Sequence, residues 1–288
     1  MAGDASRPAK LAGRQFQILH VLDTAMKPQE AIDVGGLFSV AGKIALITGG
    51  SRGIGLMIAR GLLEGGARVY ISSRKKAACE EAAQALHELG ECRSLPADVS
   101  TAQGCRQLAA DFAKGEDRLH ILVNNAGAAW GATLADYPES GWDKVMNTNV
   151  KSVFFLTREL IPVLEKTATA ADPGRVINIG SIDGLKPPFY EVYAYSASKA
   201  AVHHLTRDLA VKLAGKNITV NALAPGPFVS QMTAEMLERF QSRLEQACPL
   251  RRIGNAADMA GAVIYLASRA GAYVNGAVIP VDGGISLS

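Results

Sequence analysis

Residues 43–55 read KIALITGGSRGIG, and the fold is decided there. The apolar residues from Ile44 to Ile47 are uninterrupted rather than alternating, which suits a strand covered on both faces in the middle of a parallel sheet. Glycines at 49, 50, 53 and 55 remove Cβ atoms just where the run ends and an apolar helical pattern begins. Such a turn lets backbone N–H groups and a first helical turn approach a phosphate. It also serves a tight strand-to-helix connection that needs glycine only for packing. The spacing differs from the G-x-G-x-x-G dinucleotide fingerprint, since three residues separate Gly49 from Gly53.

Outward from this turn the periodicity alternates without a break. Ile54 to Glu64 carries apolar residues at helical spacing and stops at Gly65-Gly66. Strands are expected at 67–72, 92–96, 119–123, 175–180, 218–222 and 277–281. Helices are expected at 75–89, 101–114, 140–165, 195–214 and 255–268. Seven strands alternating with helices call for right-handed crossovers and helices on both faces of one doubly wound, Rossmann-like α/β sheet. The domain is expected to run over 37–288. Residues 1–36, with Pro28 and Gly35-Gly36, read as an extension that is partly disordered or packs on a neighbouring subunit, an organelle-targeting segment being the alternative.

Composition narrows the function. The chain has 288 residues, 48% hydrophobic and 20% charged, with a formal net charge of +3. This is an ordinary globular balance, without the basic runs that nucleic acid as main partner demands. Four cysteines, at 79, 92, 105 and 248, form no C-x-x-C pair and no metal-ligand pattern with histidine. They read as free thiols of a reducing compartment, with no metal site. No apolar stretch reaches the roughly 18 residues of a membrane helix, so a cytoplasmic protein is expected.

In a doubly wound sheet, ligands bind beyond the carboxyl ends of the strands. After the second strand, where an acid would meet a free ribose 2′-hydroxyl, stand Ser72-Ser73-Arg74. With Arg52 on the glycine turn, Ser73 and Arg74 offer donors to a 2′-phosphate, which predicts NADPH/NADP; a solvated basic face continued by Lys75 and Lys76 is the alternative. Asp98-Val99 follows the third strand, where an adenine edge fits, and Asn124-Asn125-Ala126-Gly127 follows the fourth. Ser181 follows the fifth, and fourteen residues later Tyr195 opens YSASK. Tyr195 and Lys199, four apart, share a helix face, so the ammonium is expected to favour the phenolate and make Tyr195 a better acid. Tyr193 lacks such a partner, because four residues on lies Ala197.

Taken together, TGGSRGIG (48–55), NNAG (124–127), Asn149 in the long helix, Ser181, YSASK (195–199) and Pro225-Gly226 resemble the short-chain dehydrogenase/reductase family over nearly the whole chain from Leu37. The stretches GWDKVMNTNV and RVINIGSI, with the arginine-bearing turn, look closest to NADPH-dependent 3-oxoacyl reductases. The resemblance implies Tyr195 as acid/base, Ser181 orienting the substrate oxygen, Lys199 holding the nicotinamide ribose and assisting Tyr195, and Asn149 anchoring a water that links Lys199 to solvent. It implies that Gly49, Ser51, Arg52, Gly53, Ile54 and Gly55 hold pyrophosphate and ribose. Asp98 and Val99 would take the adenine, Asn125, Ala126 and Gly127 the central ribose region, and Pro225 and Gly226 the nicotinamide border. Dimers or tetramers paired through helices 140–165 and 195–214 are implied too. The N-terminal residues and the Pro187-Pro188-Phe189-Tyr190 insertion depart from the pattern and leave the substrate open.

Met232, Met236, Leu237, Phe240 and Leu244 recur at helical spacing, as in an adaptable lid at 226–250 over an acyl chain or in a helix simply packed on the domain. Arg239, Arg243, Arg251 and Arg252 can meet an acyl carrier protein or coenzyme A phosphate, or be solvated. Three functions stay open: reduction of 3-oxoacyl thioesters, reduction of small or xenobiotic ketones, and a nucleotide-binding regulator without turnover.

Overall fold

Each apolar run of the sequence becomes a strand of one parallel sheet: β1 (Ile44–Thr48), β2 (Arg68–Ser72), β3 (Cys92–Ser94), β4 (Ile121–Asn124), β5 (Gly174–Ile179), β6 (Ile218–Pro225) and β7 (Val278–Val281). The structure is a computed structural model that describes residues 32–229 and 234–288. Strand order is β3-β2-β1-β4-β5-β6-β7, with every pair parallel. The chain steps outward from β1 to β3 and returns to place β4 on the other side of β1. The order therefore reverses between β1 and β4, and the crevice at their carboxyl ends is where such sheets take ligands.

After a single helical turn at Val34–Leu37, eight longer α-helices are described: α1 (Gly53–Glu64), α2 (Lys76–Leu86), α3 (Ala102–Gly115), α4 (Glu139–Met146), α5 (Ser152–Glu165), α6 (Tyr193–Leu213), α7 (Ala234–Ala247) and α8 (Ala256–Ala267). The run in β1 is uninterrupted because both faces are covered. Ala45 and Ile47 join Ile58, Leu62, Val263 and Leu266 on one side. Leu46 joins Leu108, Phe112, Leu156, Leu160 and Val220 on the other. Burying each such aliphatic side chain contributes about 1.5–3 kcal/mol. α3 starts at a Thr101 cap that accepts from Gly104 N, and α8 at an Asn255/Asp258 capping box, so the chain signals its own helix starts.

Two elements differ from expectation. The helix over 140–165 is interrupted by a π-helical turn at Asn147–Lys151, which separates α4 from α5. Apolar spacing cannot show this, because one wide turn shifts the stripe by a single residue. The helix expected from Tyr195 begins at Tyr193, which puts Tyr195 in its first turn.

Of the expected extension, residues 1–31 lie outside the described residues. Gly36–Ser288 forms one compact unit. In the expected lid, 230–233, including Met232, lie outside the described residues, as do the side chains of Met236, Leu237, Arg239 and Phe240. Leu244 is buried with Cys248 and Ile285.

Candidate active site

The glycine turn is built by close approach. Gly49 and Gly53 adopt φ of +66° and +54°, a region L side chains rarely enter. A Cβ on Gly55 would overlap the Gly49 carbonyl oxygen and the Asn125 amide. The Asn125 side chain donates to Thr48 O at 2.9 Å and Gly49 O at 3.1 Å. Thr48 Oγ1 accepts from the N–H of Asn125 and of Ala126, both at 3.0 Å. Asn125 thus braces the turn from the end of β4, with its Nδ2 engaged on main-chain carbonyls. Thr48 is the cross-strut, and sequence reasoning missed it; a lone polar residue closing an apolar strand just before glycine was the available signal.

The register Thr48↔Ser72 brings Arg52 and Arg74 to the same end of neighbouring strands. Both are exposed, and Arg52 stands as the extended N-cap of α1. Ser72 and Ser73 keep buried Oγ atoms with no hydrogen-bond partner. A buried hydroxyl left unpaired costs about 1–3 kcal/mol, so these orphaned groups, the arginines and a cradle that any Cβ would fill together fit a phosphorylated dinucleotide. Asp98 is exposed and accepts from Ser100 N at 3.0 Å. Val99 is buried in the core, so its side chain packs rather than lines the crevice. Ser51 and Ile54 are half-buried in the turn, and Ile54 packs on the core.

Asn149 sits in the π-turn, 2% exposed. Its Oδ1 accepts from Ala128 N at 2.8 Å, and its Nδ2 donates to Ala128 O at 3.0 Å and Ser198 Oγ at 2.9 Å. Both amide hydrogens are spent on tying the π-turn to the loop after β4 and to α6, at the place where the helix widens. A Cβ placed on Gly127 would lie 3.7 Å from Asn149 Oδ1 and 3.9 Å from Lys199 Nζ. Asn149, Gly127 and Lys199 therefore converge.

Ser181, two residues beyond β5, is buried and lies close enough to the Tyr195 hydroxyl to favour its phenolate. Lys199 is buried; its Nζ donates to Ile179 O at 2.7 Å and lies 5.5 Å from the Tyr195 ring centroid. Burial pulls the ammonium down to about 8, against the charge of Asp183, which holds it up. Tyr195 differs from expectation. Burial, then the charge of Asp183, push its phenol up to about 12, with the Ser181 hydrogen bond pulling the other way. Lys199 points its N–H at a carbonyl and stands over the ring, so desolvation of the phenolate wins over the attraction expected from the four-residue spacing.

Gly226 receives its glycine requirement from packing, since a Cβ would lie 2.8 Å from Asp282 Cβ. Its N–H donates to Val281 O at 3.0 Å, which holds Pro225-Gly226 at the carboxyl end of β6. Of the arginines behind these residues, Arg252 is paired with Asp258 and Arg251 donates to Gln246 O, so both are engaged within the chain. Asp183, unnoticed in the sequence, and Tyr190, noted there only as part of the insertion, complete the wall beside Ser181. Among the described residues, no group of three His, Cys, Asp or Glu side chains can hold a metal ion, and no helix is long and apolar enough to cross a membrane.

A parallel sheet with this strand order, a glycine turn after β1 and a Ser/Tyr/Lys set across β5 and α6 define a nucleotide-dependent oxidoreductase, and the chain belongs to the short-chain dehydrogenase/reductase family. A family profile described as enoyl-(acyl carrier protein) reductase matches residues 49–286. Among characterised relatives, the rhamnolipid-biosynthesis 3-oxoacyl-acyl-carrier-protein reductase of Pseudomonas aeruginosa is 50% identical over 252 residues, 87% of this chain and 98% of that one. The galactitol 2-dehydrogenase of Cereibacter sphaeroides is 37% identical over 262 residues, 89% of this chain and all of that one. Among solved structures, the Pseudomonas aeruginosa RhlG/NADP active-site complex superposes with a TM-score of 0.84 at 50% identity, covering 87% of this chain and 99% of that one.

Proposed function

We propose that this protein reduces the ketone of a 3-oxoacyl thioester to the 3-hydroxyacyl form with NADPH. The observation that carries the reading is the convergence of Ser181, Tyr195 and Lys199 beside a phosphate-shaped turn, in a chain half identical to a 3-oxoacyl-acyl-carrier-protein reductase. Bound, the cofactor supplies the hydride for the carbonyl carbon. Ser181 donates a hydrogen bond to the carbonyl oxygen while Tyr195 delivers its proton to the same atom as charge develops there. A phenol held near 12 stays protonated at neutral pH and is ready to donate. Lys199, near 8, can replace that proton and holds the ribose.

The turn at Gly49, Ser51, Arg52, Gly53, Ile54 and Gly55 holds the pyrophosphate, and Ser73 with Arg74 the 2′-phosphate. Asp98 and Val99 flank the adenine, the latter through backbone. Ala126 and Gly127 border the ribose, with Asn125 supporting them from beneath, and Pro225 and Gly226 edge the nicotinamide. Residues 37–288 form the reductase domain, with an acyl-carrier or coenzyme A thioester as the form delivered and Leu244, buried with Cys248 and Ile285, anchoring the segment expected to cover the acyl chain. Exposed Trp142, Phe154 and Val211 on α4, α5 and α6 support pairing of subunits into dimers or tetramers, which sedimentation at several concentrations tests. Four buried, unbridged cysteines support a reducing, cytoplasmic setting.

The deciding measurement is NADPH oxidation with a 3-oxoacyl thioester against a simple ketone of similar length, repeated with NADH. Higher kcat/KM with the thioester and NADPH is expected. Preference for a polyhydroxy ketone would favour the second reading, which the likeness to galactitol 2-dehydrogenase supports.

A further inference from the structure

Asp183 stands two residues after Ser181, on the 3₁₀ turn Ile182–Gly184. Its N–H donates to Ser181 Oγ at 3.1 Å, and its carboxylate Oδ2 accepts from the Tyr190 hydroxyl at 3.0 Å. The turn cannot drift from α6, because a Cβ on Gly184 would lie 2.6 Å from the Lys199 carbonyl carbon and 2.7 Å from Ala200 N. The turn that carries this carboxylate is thus held against α6 at Lys199 by backbone packing. The carboxylate is clamped from outside by the last residue of Pro187-Pro188-Phe189-Tyr190. Neither residue has a part in the chemistry assigned above.

We propose that Asp183 and Tyr190 are positioning residues for the reduction: Tyr190 fixes the Asp183 carboxylate from the proline-led segment, and the Asp183 turn, through its N–H on Ser181 Oγ and its packing on α6, holds Ser181 and one negative charge in place for the reacting set. This rests on the reductase reading of the site. The charge of Asp183 acts on both members of the pair in one direction, favouring the protonated phenol and the protonated ammonium. Burial raises the carboxyl itself, opposed by hydrogen bonds from Tyr190 and Ser181 and by the charges of Lys199 and Lys186. The groups around it are few. Lys186 donates to Ile285 O at 2.6 Å and Ser288 O at 2.9 Å. The His203 ring packs beneath Gly184 and stays neutral, its pKa held down at about 4 by burial and by Lys199. Glu191 is occupied by the Tyr193 hydroxyl at 3.0 Å. The insertion therefore carries a device: a tyrosine that reaches back from the mouth of the site and holds one negative charge beside the proton donor.

Asp183→Asn keeps the shape and removes the charge. The alkaline limb of kcat/KM for ketone reduction is expected to move toward acid by about half a pH unit or more. The titration of Lys199 should move the same way, followed without substrate by NMR of protein carrying isotope-labelled lysine, the signal assigned by its loss in Lys199→Arg. Tyr190→Phe leaves the charge and removes its clamp, so KM should rise several-fold while the alkaline limb stays in place. Asp183→Ala repeats the charge test if the asparagine variant does not fold. An alkaline limb and a Lys199 titration unmoved in the Asp183 variants would overturn the proposal, as would a Tyr190→Phe limb displaced as far as theirs. If the wild-type protein reduces no ketone, the functional reading fails, while the Lys199 titration still decides the electrostatic coupling.

Discussion

The cofactor turn and the substrate wall are held by different means. Between β1 and α1 the geometry is backbone geometry: positive φ at Gly49 and Gly53, space at Gly55, and struts from Thr48 and Asn125 to main-chain atoms. Beyond β5 the arrangement depends on side chains and charge: Ser181 to Tyr195, Lys199 to Ile179 O, Asp183 to Tyr190. Steric frames tolerate no added atom and are indifferent to pH. Networks of titrating groups tolerate shape-preserving changes but respond to any change of charge. On the proposed reading, the contrast separates where the molecule binds from where it reacts.

The largest effect is expected on the reactive side. Tyr195→Phe keeps the ring and removes the proton, so kcat should fall by about 10²–10⁴ while NADPH affinity, read by fluorescence titration, changes little. Equal losses in affinity and turnover would merge the two regions into one. On the binding side, Gly55→Ala drives a methyl into Gly49 and Asn125. It should cost about 3 kcal/mol of stability, the upper end for overpacking because backbone must move. Thermal unfolding together with NADPH binding measures it, and an unperturbed variant would show the turn to be looser than described.

Acid should distinguish the regions next. His203, behind Lys199, is held neutral with its pKa at about 4 by burial. The unfolded chain binds this proton near the ordinary 6.5, so the stability it contributes is complete above about 6.5 and is lost as pH falls toward 4. The loss is on the order of 3 kcal/mol. Urea unfolding at pH 7 and pH 4.5 reads it, and His203→Gln should flatten the dependence. The smallest effect belongs to an exposed arginine. Arg74→Ala should reduce the preference for NADPH over NADH by about ten- to a hundredfold in kcat/KM. An unchanged ratio would assign the 2′-phosphate to other groups.

The uneven legibility of the two regions follows from the same difference. The uninterrupted run 44–47 and the glycines after it are local features, and the sheet with its phosphate turn was readable because both depend only on neighbours in the chain. Ser181, Tyr195 and Lys199 were readable through their motif and their place after a strand. Their proton affinities were not: the spacing of Tyr195 and Lys199 suggested a phenol made more acidic, whereas burial and Asp183 raise it. Asn149 was expected on a regular helix, yet it sits in a π-turn, tied to Ala128 and Ser198.

The sequence by itself determined the strand order class, the glycine turn and the placement of Ser181, Tyr195 and Lys199 after their strand, because periodicity, missing Cβ atoms and fixed spacings act over short stretches of chain. Only the tertiary structure decided which polar residues brace the turn and which stand together in the buried set. Thr48 and Asn125 meet although 77 residues separate them in the chain, and Asp183 meets Tyr190 because a proline-led segment folds back toward the turn after Ser181. Desolvation and charge depend on what surrounds an atom from all sides, and that is settled only when distant segments pack.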